Sequence, residues 1–338
     1  MKNHNVLVVG VGSIGERHVR CFQSTGRAIV SICEPLEARR LEVTDRYGID
    51  RPYSSLDEAL ASPCDVAVVA VPANRHVPVA LQLAEAGCHL LIEKPLSTSL
   101  DGVDQLRRLV NAQGIVAAVG YQHRLNPALA DMKEALAIGR FGKPVQIVVT
   151  CGQHFPTYRP AYRDVYFADR AAGGGAIQDA ITHMLNAGEW LVGPIQSLVA
   201  DAAHQVLDGV SVEDTVHILT RQDGAMGNYT LNLHQAPNEN TVTVICSEGT
   251  VRWEIHNHRW RWMTAPGNDW TEVQFEPCER EAFYVRQAEV FLNAVEGGGK
   301  VHCSLDEGIQ TLKVNLAALA SVEQGSGFIP VEQPTTTA

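Results

Sequence analysis

Val6-Leu7-Val8-Val9-Gly10-Val11-Gly12-Ser13-Ile14-Gly15 is the stretch that decides the fold class. Four apolar residues, three of them β-branched, run straight into glycines spaced G-x-G-x-x-G. An amphipathic segment then continues from Ile14 to Thr25 and stops at Gly26. A strand buried on both faces reads as such a run, and glycine just past the last turn is a usual helix stop. In this strand–turn–helix context Gly10 permits the tight turn and Gly12 lets the backbone approach a pyrophosphate. Gly15 lets helix and strand pack closely. The helix start at Ser13 and Ile14 offers free N–H groups to the phosphates. Glu34 ends the next apolar run, where a carboxylate takes the ribose hydroxyls and repels a 2′-phosphate. NAD is therefore expected, while Arg39 and Arg40 lie near enough to leave NADP possible.

Outward from this motif the pattern repeats. Ile29–Cys33, Val66–Val71, Leu90–Ile92 and Val116–Val119 are short apolar runs, separated by amphipathic stretches such as His76–Ala86 and Leu100–Gln113. That alternation predicts an α/β fold, a Rossmann doubly wound parallel sheet. Past residue 122 the texture changes. Val145–Thr150, Val216–Thr220, Tyr229–Leu233, Val242–Cys246 and Val251–Ile255 read as strands, with turns at Asp223-Gly224, Glu248-Gly249 and Pro266-Gly267. Strands in succession predict an α+β second domain with a mostly antiparallel sheet. The expected division is residues 1–122 and 123–338. Two helices, Glu281–Val295 and Leu305–Glu323, close the chain, the second opened by a Ser304/Glu307 capping box.

Composition excludes several functions. The 338 residues carry 27 Lys+Arg against 38 Asp+Glu, a net charge of −11, which disfavours a nucleic-acid partner. The eight cysteines show no C-x-x-C spacing, and the 13 histidines no H-E-x-x-H grouping, so no metal is expected. Cysteines scattered in apolar runs, with no apolar run of membrane-spanning length, point to a cytoplasmic protein with no membrane partner. The absence of Gly-Asp and of Tyr-x-x-x-Lys disfavours FAD enzymes of this type and short-chain dehydrogenases.

Two further motifs carry chemistry. Glu93-Lys94-Pro95 follows a strand at the sheet edge where such folds place ligands, so the Lys94 ammonium points at the nicotinamide end. Read alone, it equally fits a lysine reaching for water. Gly173-Gly174-Gly175 opens a helix with Asp179 and His183 at i, i+4, and the glycines allow a close approach to a cofactor or strand. The carboxylate can orient the imidazole for proton transfer, although the pair alone also fits a solvated helix face.

Together the three motifs resemble the glucose–fructose oxidoreductase/inositol dehydrogenase (Gfo/Idh/MocA) family over nearly the whole chain. The resemblance implies a Rossmann domain followed by a domain with a large open sheet, and hydride transfer between NAD and a sugar-like carbinol. It implies Lys94, Asp179 and His183 as catalytic residues that also touch substrate. Lys94 polarises the reacting oxygen, His183 moves the proton, and Asp179 orients it or holds a neighbouring hydroxyl. Val71, Pro72, Asn74 and His76 match a loop beside the nicotinamide, with Val71 where threonine is usual. Glu93, Lys94, Gln122 and Arg39 join the expected cofactor contacts, and Arg124, in the linker 120–127, the substrate contacts. A homodimer or homotetramer through the C-terminal sheet is also implied. Between 151 and 170 the residues alone propose His154, Tyr158 and Arg163 as substrate contacts, in a loop rich in Tyr and Arg. An NAD-dependent glycosidase and a non-catalytic NAD-binding sensor are the competing functions.

Overall fold

The computed structural model describes residues 3–277, 279–325, 327 and 329–331. Its first sheet has six parallel strands. They are β1 (His4–Val9), β2 (Ala28–Cys33), β3 (Pro52–Tyr53), β4 (Val66–Val69), β5 (His89–Ile92) and β6 (Ala117–Val119). Their order is β3-β2-β1-β4-β5-β6. The order reverses between β1 and β4, which makes their C-terminal edge the ligand-binding crevice of a doubly wound sheet. Helices α1 (Ser13–Ser24), α2 (Glu37–Tyr47), α3 (Leu56–Leu60), α4 (His76–Glu85) and α5 (Val103–Gln113) lie between the strands in the chain. Val6 and Val8 of β1 pack with Val19 and Phe22 of α1 in the core.

The second sheet has nine strands. They are β7 (Pro144–Gly152), β8 (Ile195–Ala203), β9 (Thr215–Gln222), β10 (Ala225–Asn232), β11 (Glu239–Cys246), β12 (Gly249–Glu254), β13 (Arg259–Met263), β14 (Thr271–Gln274) and β15 (Ile329–Pro330). In the order β14-β13-β12-β11-β7-β10-β9-β8-β15 every pairing is antiparallel except β7 with β10. Asp223 (φ 43°) and Gly224 (φ 87°) form the two-residue turn between β9 and β10, a left-handed pair suited to a tight hairpin. Side chains of β9 alternate: Val216 and Ile218 are buried, while His217, Leu219 and Arg221 are exposed. One sheet face thus builds the core with α6 (Pro127–Ala137) and α8 (Thr182–Val192), between which the chain forms the short α7 (Phe155–Tyr158). Among the described residues no helix is long and apolar enough to cross a membrane.

The chain divides into two compact units, Met1–Leu125 with Cys278–Ile309, and Asn126–Pro277 with Gln310–Ala338. The expected single cut after residue 122 is revised accordingly. The helix α9 (Arg280–Val295) returns to the first unit because Ala288, Phe291 and Leu292 complete its core, and Arg20 of α1 grips Glu281. The last helix, α10 (Leu305–Glu323), follows a formed capping box in which Ser304 Oγ donates to Glu307 Oε2 at 2.9 Å. The helix expected after the glycine run is also different. Ala176–Ile181 is a π-helical segment and the α-helix begins only at Thr182.

Just before β9, the fully buried Asp214 accepts the backbone N–H groups of Gln205, Val206 and Leu207 at 2.8–3.0 Å. Burial opposes its ionisation, but these donors and the Thr215 hydroxyl hold its pKa below the usual carboxylate value. Asp214→Ala would leave three donors without their acceptor. It should cost about 2–4 kcal/mol, a fall of about 5–10 °C in the melting of this unit by calorimetry. An unchanged transition would refute this.

Candidate active site

In the first unit the residues of the glycine fingerprint divide by what surrounds them. A Cβ on Gly15 would sit 1.9 Å from the Gly10 carbonyl oxygen, and one on Gly10 (φ 83°) would meet the Ala70 carbonyl at 2.9 Å. Both glycines are dictated by the turn itself. Gly12 differs: its φ is −61°, it is exposed, and among the described residues nothing lies within 4 Å of an added Cβ. Nor does any side chain cap the start of α1, where Ser13 is exposed and Ile14 partly so. An open approach onto uncapped helix N–H groups fits a dinucleotide pyrophosphate.

Glu34 follows β2, and its Oε2 accepts the Val11 N–H at 3.0 Å while Oε1 accepts that of Leu36. Arg39 donates from Nε to the Val11 carbonyl at 2.8 Å and pairs with Glu16 and Glu42. Glu16 also takes the Tyr47 hydroxyl and Arg46. Burial opposes ionisation of Glu16, but Tyr47, Arg39 and Arg46 outweigh it and lower its pKa from 4.5 to about 2. The sign follows: this carboxylate contributes stability above pH 4.5 that disappears as pH falls to about 2. Glu16→Gln should therefore lower the urea midpoint at pH 6 and match the parent near pH 2. A gap that persists at pH 2 would contradict this.

Val71 continues from β4, and its side chain lies against Gly10. Pro72 and Asn74 are exposed. His76 is buried, with Nε2 2.7 Å from the Val71 carbonyl oxygen and Nδ1 2.9 Å from that of Pro95. Glu93 is buried too. Its Oε1 accepts from His18 Nε2 at 2.7 Å and its Oε2 from the Lys94 N–H at 3.1 Å. Burial works against the charge of Glu93, yet His18 and Lys94 bring its pKa below the usual value. With these polar atoms engaged within the chain, His76 and Glu93 brace the segments around Val71 and Lys94. Lys94 itself is half-buried at the end of β5. Gln122 is buried in the turn Gln122–Leu125. Arg124, also buried, pairs with Glu307 and donates to the His302 carbonyl.

The second unit holds Asp179 and His183. Asp179 is 1% exposed and accepts the Tyr166 hydroxyl at 2.6 Å and Arg159 Nη1 at 3.1 Å. A solvated helix face is thereby excluded for Asp179. The π-helical segment is anchored by Glu213, whose Oε1 accepts the Ile177 N–H at 3.0 Å while Oε2 pairs with Arg170. The glycine run serves this anchor. A Cβ on Gly175 would meet Glu213 at 2.5 Å, and one on Gly174 the Phe167 carbonyl at 2.3 Å. The close approach is thus to a carboxylate and a loop rather than to a strand. Of the other expected contacts, Tyr158 is exposed, and His154 Nδ1 lies 2.8 Å from the Thr157 hydroxyl. Arg163 Nε donates to the Asp208 carbonyl and stacks on Tyr162. His18 and Glu213 went unnoticed in the sequence, whereas Arg159 and Tyr166 belong to the Tyr- and Arg-rich loop proposed there for substrate recognition. Of the unnoticed two, only His18 left a signal, a polar residue on the buried stripe of a fingerprint helix.

Comparison with known proteins supplies the class. The description "Oxidoreductase family, NAD-binding Rossmann fold" of Gfo/Idh/MocA matches residues 4–121, and the family's C-terminal domain matches 129–252. The chain belongs to the Gfo/Idh/MocA family of NAD-dependent oxidoreductases. Levoglucosan dehydrogenase of Pseudarthrobacter phenanthrenivorans is 27% identical over 74% of this chain and 73% of its own length. The rhizopine catabolism protein MocA of Rhizobium meliloti is 25% identical over 94% and 95% of the two chains. WlbA dehydrogenase from Bordetella pertussis, solved with NADH and UDP-GlcNAcA, superposes with a TM-score of 0.81 at 26% identity, covering 98% of this chain and all of its own. A levoglucosan dehydrogenase solved with NADH and levoglucosan gives 0.89 at 22% identity over 98% of this chain and all of its own, which speaks for the fold.

Proposed function

We propose that this chain transfers a hydride between NAD and one carbinol of a sugar, polyol, sugar acid or related cyclic compound. The carrying observation is Asp179, buried and held as a double acceptor four residues before His183. NAD, when bound, supplies the hydride acceptor or donor, and Gly12, Ser13, Ile14 and Glu34 would hold it. Lys94 donates a hydrogen bond to the reacting oxygen and stabilises its developing negative charge. His183 takes the hydroxyl proton during oxidation and returns it during reduction. Asp179 keeps that imidazole oriented or accepts a neighbouring substrate hydroxyl, with Tyr166 and Arg159 fixing its carboxylate. Tyr158 and His154 are the further substrate contacts. The exposed sheet face, where Leu219 and Met226 are about half exposed (51% and 52%), supports a homodimer or homotetramer.

The test begins with purified protein, assayed for bound NAD(H), sedimented for subunit number, and screened against sugars, sugar acids and glycosides. Net NADH formation with a free sugar or polyol is the expected result. Glycoside cleavage without net redox change would replace this reading with the glycosidase, and NAD binding without turnover with the sensor.

A further inference from the structure

A buried hydrogen bond of the first unit lies outside the proposed catalytic set. It joins His18, on the helix that opens at the glycine fingerprint, to Glu93, the residue before Lys94. Both side chains are almost fully buried, and the separation is 2.7 Å. The second carboxylate oxygen accepts the Lys94 N–H. Gly120 presses from the other side, since a Cβ there would sit 3.0 Å from the Glu93 carboxylate. Tyr284 of α9 meets the His18 ring edge-on at 5.7 Å, under Arg17 at 5.0 Å. A carboxylate retained at such burial is costly unless every oxygen is satisfied. A surface lysine has no need of it.

We propose that His18 and Glu93 are positioning residues for Lys94: their buried pair ties the lysine backbone to the cofactor helix and keeps a negative charge beside the ammonium. The inference rests on the catalytic reading of Lys94 given above. The charge acts strongly because it is buried. Burial first, then Arg280 and Lys94, hold His123 neutral with a pKa of about 4. His302 is held at about 4 by burial and then Arg124, and burial lowers His76 as well. Burial raises the Tyr284 phenol, so it too is neutral. Glu307 is paired with Arg124, and Arg17 and Arg280 are the further arginines of this neighbourhood. Glu93 is accordingly the anion bonded directly to the Lys94 segment.

Glu93→Gln keeps the shape and the acceptor for Lys94 N–H but removes the charge. The expected result is a fall in kcat of about 10–100-fold with NAD affinity by calorimetry within about threefold. His18→Gln, whose amide N–H reaches the same oxygen, should retain far more activity than His18→Leu. Unchanged kcat in Glu93→Gln would overturn the proposal, as would a loss confined to NAD affinity. If Glu93→Gln does not fold, equal activity of the two His18 variants overturns it. Activity surviving in Lys94→Ala would instead sink the catalytic reading itself, which separates the two failures.

Discussion

Lys94→Ala should reduce kcat by about two to four orders of magnitude while NAD affinity changes by no more than about threefold. The size follows from the role. Removing one donor aimed at a developing oxyanion costs about 10²–10³ in turnover, and a charged donor in a site shielded from water is worth at least as much. The selectivity follows from the fold. The fingerprint and its uncapped helix start stand on β1 and α1, whereas Lys94 follows β5, its backbone N–H held by Glu93 and not by the glycine turn. Truncating a half-buried side chain there leaves the His18–Glu93 pair and the His76 brace in place. Lys94→Arg should recover only part of the loss, since the guanidinium is broader and delivers its donors in a fixed plane. Stopped-flow hydride transfer and calorimetric NAD binding on the same preparations decide it. Turnover within threefold of the parent would remove Lys94 from the mechanism.

How much of this was legible beforehand differs by kind of interaction. Local patterns read well: the run 6–9 forms the last four residues of β1, and α10 has the expected limits Leu305–Glu323 with its capping box. Hydrophobic period and cap chemistry are written in neighbouring residues. β8 escaped because its buried residues, Ile195, Leu198 and Ala200, depart from period two where the register shifts between Ile195 and Ser197. The return of α9 to the first unit escaped for another reason. Its apolar residues name a buried face but not the surface they cover, which lies over 260 residues away along the chain at Arg20. The π-helical segment is set by Glu213 in a distant loop, and no local periodicity announces it. Glu93 and His76 show the same limit at the site. Their positions in a motif were readable, but their partners, His18 and the Val71 and Pro95 carbonyls, come only with the fold.

The second large effect separates glycines that the protein needs from one that the cofactor needs. Gly15→Ala should cost more than about 3 kcal/mol or prevent soluble expression, because its methyl would lie 1.9 Å from a backbone oxygen of Gly10. Gly10 cannot yield, since its own φ of 83° and the Ala70 carbonyl at 2.9 Å fix the turn. Gly12→Ala has the opposite signature. Its backbone, φ −61° and ψ −170°, is open to any residue, and among the described residues an added methyl meets nothing within 4 Å. The melting temperature should stay within a degree or two or rise slightly, as alanine restricts the unfolded chain. NAD affinity should nevertheless fall by about 10–100-fold, because the methyl stands where the pyrophosphate approaches the α1 N–H groups. Both quantities come from one calorimetric series, melting without ligand and titration with NAD. A Gly12→Ala variant that binds NAD like the parent would mean that the phosphates do not use this helix end, and the cofactor assignment of Ser13 and Ile14 would fall with it.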